Sequence, residues 1–375
     1  MAELGRRTFL AAAGAVTAGS MLNIGVAGAS GRGGRVVFVG SYTSSPSAGH
    51  GLDVATCAGG PALRLDHTVP GVPDASWFAF SADRKVLYST NEAEPVGSVT
   101  ALSLRDPARP AVLNKQTSRG SAPTHLSVHP SGRYLLTANY GDGTVVVHPI
   151  LAGGKLGEST DLVKHTGSER DAHAHQVVTD PSGRWVLAVD LGADSVYVYR
   201  LDLTSGKLAL HEQVRLPSGA GPRHLAFHPN GRVAYVLGEL RPEITVASWD
   251  PGSGKLTPGK VVPTVAAGAP GPNYPGEIAT SGDGRFVYAS NRGENTIAAF
   301  ATGQGGHDLK RLGDNASSGG DWPRHFTLDP SERWVYVSNQ RSGAVTWLPR
   351  DPRTGLLGAP RGSLAVPSVA TVLFR

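Results

Sequence analysis

The sequence predicts an all-β fold, a seven-bladed β-propeller whose ring is closed by the C-terminal strand pairing beside the N-terminal strand. Three observations carry this. A turn followed by a short apolar strand recurs seven times at a period near fifty residues. The 375 residues include 49 glycines and 27 prolines, and only 17% are charged. That is the composition of many short strands joined by turns, not of long charged helices. Finally, the last ten residues resemble the strand that the first copy lacks.

The copies run in order as "GRVVFVGS" (34–41), "RKVLYSTN" (84–91), "GRYLLTAN" (132–139), "GRWVLAVD" (183–190), "GRVAYVLG" (231–238), "GRFVYASN" (284–291) and "ERWVYVSN" (332–339). Their basic anchors are Arg35, Lys85, Arg133, Arg184, Arg232, Arg285 and Arg333, spaced by 50, 48, 51, 48, 53 and 48 residues. A repeat of this length, rich in short strands, is a blade of four antiparallel strands. Pro130-Ser131-Gly132, Pro181-Ser182-Gly183 and Pro229-Asn230-Gly231 are turns, in which Pro presets φ and Gly relieves crowding. Strands such as Phe286-Val287-Tyr288-Ala289 are apolar on successive residues, as expected when both sheet faces are buried between blades. The first copy starts at its second strand. "VPSVATVLFR" (366–375) matches "VPDASWFAFS" (72–81) and supplies the missing one. Closure there joins two otherwise exposed edges. One propeller domain is expected over residues 30–375.

The first thirty residues read differently. In "MAELGRRTFLAAAGAVTAGSMLNIGVAGAS", Arg6-Arg7 precede a weakly apolar run that ends in Ala27-Gly28-Ala29. This is the pattern of a twin-arginine-type signal peptide over 1–29, with cleavage after Ala29. It predicts an exported protein, periplasmic, cell-surface or extracellular. Gly, Thr, Ser and Asn interrupt the run, which disfavours a spanning helix, and no other segment is long and apolar enough, so no stable membrane insertion of the mature protein is expected. The formal charge of +5 is scattered, without a Lys/Arg block. That argues against a nucleic-acid partner and leaves room for a mildly positive cleft that attracts a small anion. The single cysteine, Cys57, allows no intrachain disulfide and no cysteine metal cluster. No cofactor is called for.

In each repeat the strand before the turn starts eight or nine residues ahead of the anchor. In a propeller this first strand lines the central channel, and the second returns to the same rim. The starts are Ser76-Trp77, Thr124-His125, His175-Gln176, Arg223-His224, Gly276-Glu277 and Arg324-His325. The ends are Asn91-Glu92, Asn139-Tyr140, Asp190-Leu191, Gly238-Glu239, Asn291-Arg292 and Asn339-Gln340. A polar ring around a concave mouth is the expected place for a small ligand. Asn91, Asn139, Asp190, Asn291 and Asn339 are expected to cap turns, and His129 and His228 to be turn residues. His173-Ala174-His175 has the spacing of two metal ligands but lacks a third partner, so no metal site is assigned.

The stretches "APTHLSVHPSGRYLLTANYGDGTV", "HAHQVVTDPSGRWVLAVDLGADSVYVY", "GPRHLAFHPNGR", "YPGEIATSGDGRFVYASNRGENTIAAF" and "WPRHFTLDPSERWVYVSNQ" resemble the seven-bladed propeller lactonases. That family includes one class of 6-phosphogluconolactonase and a carboxy-muconate lactonising enzyme. The resemblance runs from about residue 35 to the end. It implies the opening or closing of a lactone ring. The His, two Arg and Glu proposed as catalytic in the muconate branch fall on His175, Arg223, Arg292 and Glu239. His125, Tyr140, His224, Glu277, Arg324 and His325 surround them as candidate substrate-binding residues. Arg223 and Arg292 would stabilise the oxyanion and grip an anionic group, and Glu239 and His175 would share the proton transfers. Either of the two could be the base. The guanidiniums should keep Glu239 ionised and Glu239 should favour a protonated His175, an arrangement that leans to Glu239 as base and His175 as acid.

The phosphogluconolactonase branch is cytosolic, so the leader points away from a phosphorylated substrate. The leading expectation is a hydrolase acting on a sugar-acid or related small lactone. The alternatives are a lactonising cyclase acting on a dicarboxylate, and an exported propeller that binds a small anion or a protein without chemistry.

Overall fold

The computed structural model describes residues 34–375 apart from Ser168, Ala267 and Pro270. The leader expected over 1–29 lies outside the described residues. Seven antiparallel sheets account for nearly all regular structure. Blade one takes Val369–Phe374 as its inner strand, followed by Arg35–Ser41, Leu52–Cys57 and Leu63–Thr68. Blades two to seven follow in chain order, with inner strands Phe78–Phe80, Pro123–Val128, Ala174–Thr179, Pro222–Phe227, Tyr274–Thr280 and Pro323–Leu328. The inner strands of consecutive blades touch one another around the axis. Blade one is thus built from both ends of the chain, in the register Val37↔Phe374, Val39↔Val372 and Ser41↔Val369.

Side-chain alternation explains why the strands read as continuously apolar. Along Arg35–Ser41, Val37 and Val39 pack with Tyr336 and Trp347 of blade seven, while Phe38 packs with Phe78 and Leu87 of blade two. Along Val233–Gly238, Val233, Tyr235 and Leu237 face blade six, and Ala234 and Val236 face blade four. Each strand therefore serves two cores, and seven such clusters fill the seven gaps between blades.

The turns that marked the repeat need one residue with positive φ. Gly132, Gly183, Gly231 and Gly284 supply it at +66° to +73°. Blades two and seven place Arg84 and Glu332 in the same conformation, at +56° and +52°. Asx-type bonds steady such turns: Asp329 Oδ1 accepts from the backbone N–H of Arg333 and Trp334 at 3.0 and 2.9 Å. His129 and His228 are turn residues, as expected. Each accepts a backbone N–H two positions ahead on Nδ1, at 3.1 and 3.2 Å.

Candidate functional site

A β-bulge at the start of the inner strands shapes the rim. The register jumps from Pro123 to His125, from Ala174 to Gln176, from Pro222 to His224, from Pro275 to Ile278 and from Pro323 to His325. The residues left unpaired in the ladder are Thr124, His175, Arg223, Gly276-Glu277 and Arg324. A bulge re-aims side chains that a regular strand would send alternately inward and outward. Here it brings Thr124, His175, Arg223-His224 and Arg324-His325 around one small cavity.

Glu239, just beyond the second strand of blade five, is clamped by two guanidiniums. Its Oε2 lies 2.8 Å from Arg292 Nη2 and 3.0 Å from Arg223 Nε. The Arg223 contact is a close ion pair whose angle falls short of a hydrogen bond. Backbone carbonyls hold both arginines. Arg223 Nη1 donates to Gly276 O, and Arg292 donates to Tyr274 O at 2.8 Å and Pro275 O at 3.0 Å. Burial opposes the Glu239 carboxylate, but Arg292 and Arg223 outweigh it and hold its carboxyl below the usual range. Burial, then the neighbouring Arg292 and Arg324, press Arg223 down to about 9. The cluster is therefore ionised at neutral pH. Arg324 stands apart: its Nη2 is 3.5 Å from Glu92 Oε2, an oxygen that also accepts the Tyr42 hydroxyl at 2.8 Å.

Below the arginines sits a nest of imidazoles. The rings of His175 and His224 are 5.0 Å apart, those of His125 and His224 5.6 Å, and Trp77 lies against His125 at 4.4 Å. His175, His224, Arg223, Arg324, His325 and Trp77 line a cavity of about 10 Å³, room for about one water. Burial first, then nearby Arg223, holds His175 and His224 well below the ordinary histidine range. Burial and His224 do the same to His125. His325 is brought down to about 4 by burial, although Glu277 opposes the shift. All four rings are neutral at pH 7. His175 Nδ1 is buried and has no hydrogen-bond partner among the described residues.

This reverses one expectation. Glu239 does not favour a protonated His175, because its charge is spent on Arg292 and Arg223 while burial and the arginines act on the imidazole. The lean to Glu239 as base and His175 as acid loses its electrostatic ground: the Glu239 carboxylate is engaged by two guanidiniums, and His175 is not an imidazolium.

Acid should expose the same physics in stability. Each of these histidines has a folded pKa below its unfolded value of about 6.5. No penalty exists above pH 6.5. As pH falls below it, the unfolded chain gains protons that the folded one refuses, and stability drops until the folded pKa is passed. For His325, shifted to about 4, that amounts to about 3 kcal/mol, and His125, His175 and His224 add to it in the same direction. Glu277, whose carboxyl burial pushes up, opposes the trend over part of the window. Denaturant unfolding at pH 7.5, 6 and 5 should show a fall of several kcal/mol. A flat profile would mean that these rings are hydrated.

The other residues singled out in the sequence take the following positions. Tyr140 stands beside the nest, its ring 5.6 Å from His175 and stacked at 4.6 Å on His173. His173 Nδ1 donates to the Tyr140 carbonyl oxygen, 2.7 Å away, so it does not converge with His175 as a ligand pair would. Glu277 is buried and bridges towards His224 and His325 at 2.9 and 3.8 Å. The asparagines tether the preceding loops rather than merely ending their own turns. The Nδ2 of Asn91, Asn139, Asn291 and Asn339 donates to the carbonyls of Pro73, Ser118, Thr264 and Ser318. Asp190 accepts from the N–H of His173 and Ala193, both at 2.8 Å.

Three residues at the mouth escaped the assignments drawn from the sequence. Tyr42 follows the second strand of blade one as Tyr140 follows that of blade three, each seven residues past its anchor. Glu92 was in the rim set but had no role until Tyr42 and Arg324 met it. Trp322 precedes the inner strand of blade seven at φ +67°, with the Arg292 guanidinium 5.3 Å from its ring.

Comparison with known proteins agrees with this architecture. The family model described as "Lactonase, 7-bladed beta-propeller" matches residues 36–374. The chain is 32% identical to a 6-phosphogluconolactonase of Bacillus subtilis, over 90% of this chain and 97% of that protein. Its fold superposes on a Lactobacillus plantarum protein with a TM-score of 0.84 at 32% identity, covering 91% of this chain and 99% of the other. The structure described as the periplasmic gluconolactonase of Pseudomonas aeruginosa gives 0.83 at 31% identity, covering 91% and 98%. With the match running from the first described strand to the closing one, the chain belongs to the seven-bladed β-propeller lactonase family.

Proposed function

We propose that the protein hydrolyses a sugar-acid or related small lactone at the channel mouth. The observation that carries this reading is a neutral His175 with a free ring nitrogen, beside a cavity for one water and two arginines held by Glu239. The lactone carbonyl oxygen faces Arg223 and Arg292. Neutral His175 takes a proton from the water as its oxygen bonds to the carbonyl carbon. The guanidiniums stabilise the oxyanion. The ring C–O bond then breaks, and the imidazolium returns the proton to the departing ring oxygen. The product is an open hydroxy acid. Such transfers contribute about 10²–10⁴ in rate. Glu239 holds the arginines and is not the base.

The test is a screen of the purified protein against sugar-acid and aromatic-acid lactones, following acid release at pH 7.5 with spontaneous hydrolysis subtracted. A muconate-type dicarboxylate tests the cyclising direction. Turnover of a lactone that falls at least about 10²-fold in His175→Ala supports the reading. No turnover of any lactone, with ligand binding retained, makes the mouth a binding platform.

The same proposal places the enzyme outside the cytoplasm, because of Arg6-Arg7 and the Ala27-Gly28-Ala29 end of the leader. The similarity to a protein described as periplasmic supports it. Arg6→Lys with Arg7→Lys should trap the precursor inside the cell, read by fractionation and immunoblotting. Unaltered export of that variant would rule out the twin-arginine route.

A further inference from the structure

Glu277, His224 and His325 are buried side chains on the inner strands of blades six, five and seven, and the reaction above uses none of them. Glu277 Oε1 lies 2.9 Å from His224 Nδ1 and also accepts the N–H of Ile278 at 2.9 Å. The backbone N–H of Glu277 donates to Ser290 Oγ at 2.9 Å, which fixes the residue on its bulge. At the other edge of the imidazole, His224 Nε2 faces Arg223 Nη1 at 3.4 Å. A guanidinium only donates, so the nitrogen that meets it must present a lone pair. A carboxylate only accepts, so the nitrogen that meets it must carry the proton. Both neighbours select the same tautomer.

We propose that Glu277 and His224 are positioning residues for Arg223: Glu277 fixes His224 as the Nδ1–H tautomer, and the free Nε2 then steadies the Arg223 guanidinium. The inference rests on the reading of Arg223 as an oxyanion-binding group and extends it to two residues that take no part in the bond changes. The chain runs Glu277, His224, Arg223, Glu239, Arg292 and joins blades five and six. Its physical value is orientation. Arg223 sits at a bulge, with no side-chain hydrogen bond to Glu239 despite the 3.0 Å contact. Gly276 O and His224 Nε2 both lie against its Nη1 and set the plane of the fork. An oxyanion-binding group misplaced by about 1 Å costs about 10²-fold in rate, so a small loss of this orientation should be visible in turnover.

The first test does not depend on activity. In ¹⁵N-histidine spectra of the full protein at pH 7.5, the His224 signals, identified by their loss in His224→Gln, should show a protonated Nδ1 and an unprotonated Nε2. An Nε2–H tautomer or a doubly protonated ring overturns the proposal. The second test is a double-mutant cycle on lactone turnover. Glu277→Gln should lower kcat about tenfold with KM within twofold, but change kcat less than twofold when added to Arg223→Lys. Equal losses in both backgrounds would show that Glu277 does not act through Arg223 and would also overturn it. If Glu277→Gln does not fold, His224→Gln and His224→Leu take its place. Gln keeps an acceptor facing Arg223 and should retain most of the rate, whereas Leu should not; equal losses would again overturn the proposal. Should Arg223→Lys itself turn over at the parent rate, the oxyanion role fails, and the spectra still decide the tautomer.

Discussion

Deletion of residues 366–375 is expected to leave a chain that does not fold. The segment carries Val366, Val369, Val372 and Phe374, each buried against blade seven or its own blade. Burial of such side chains is worth about 1.5–3 kcal/mol each, so the four together represent about 6–12 kcal/mol. The whole stability of a folded domain is about 5–15 kcal/mol. The truncation also strips the hydrogen-bonded partner from Arg35–Ser41, which leaves a hydrophobic strand edge open to other chains. Size-exclusion chromatography and thermal unfolding check this. A soluble, monomeric truncation with the parent midpoint would show that the ring does not depend on its seam. Phe374→Ala is the graded version, expected to cost about 3–5 kcal/mol without loss of the fold.

Glu239→Gln is expected to lower kcat by at least about 10²-fold while the protein stays folded. The amide keeps the size of the side chain and one acceptor oxygen, but it removes the single negative charge that Arg223 and Arg292 share. Two buried guanidiniums then repel each other across a weaker link and drift from the carbonyl they must meet. KM should not rise, because the mouth becomes more positive and an anionic product or substrate is held at least as well. Steady-state kinetics and a melting curve on the same preparation separate the cases. A folded variant with the parent kcat would remove Glu239 from the machinery.

The ring was legible because its signals are local. Each blade announces itself through a turn of four or five residues, and the turn survives where Arg84 or Glu332 takes the left-handed position that Gly occupies elsewhere. The membership of the rim was legible for the same reason, since a strand of fixed length places its start and its end. What the spacing did not carry is the bulge, which takes His175, Arg223 and Arg324 out of the ladder and lets them line one cavity. Nor did it carry the charge of His175. That depends first on burial and then on Arg223, Arg324 and Arg292, which three different blades bring to one place. Trp322 lies in a loop, where no periodicity marks it, and Tyr42 belongs to the copy whose first strand comes from the far end of the chain.

Because Val39 meets Val372, the seam joins residues made more than three hundred positions apart. The partner of Arg35–Ser41 does not exist until the ribosome has polymerised more than three hundred further residues. At about 5–20 residues per second that interval lasts on the order of tens of seconds. Throughout it, blades two to seven can form while blade one waits as a three-stranded sheet with a bare edge. The circle therefore cannot close until Val369–Phe374 has left the exit tunnel, and the nascent chain needs shielding from its neighbours until then.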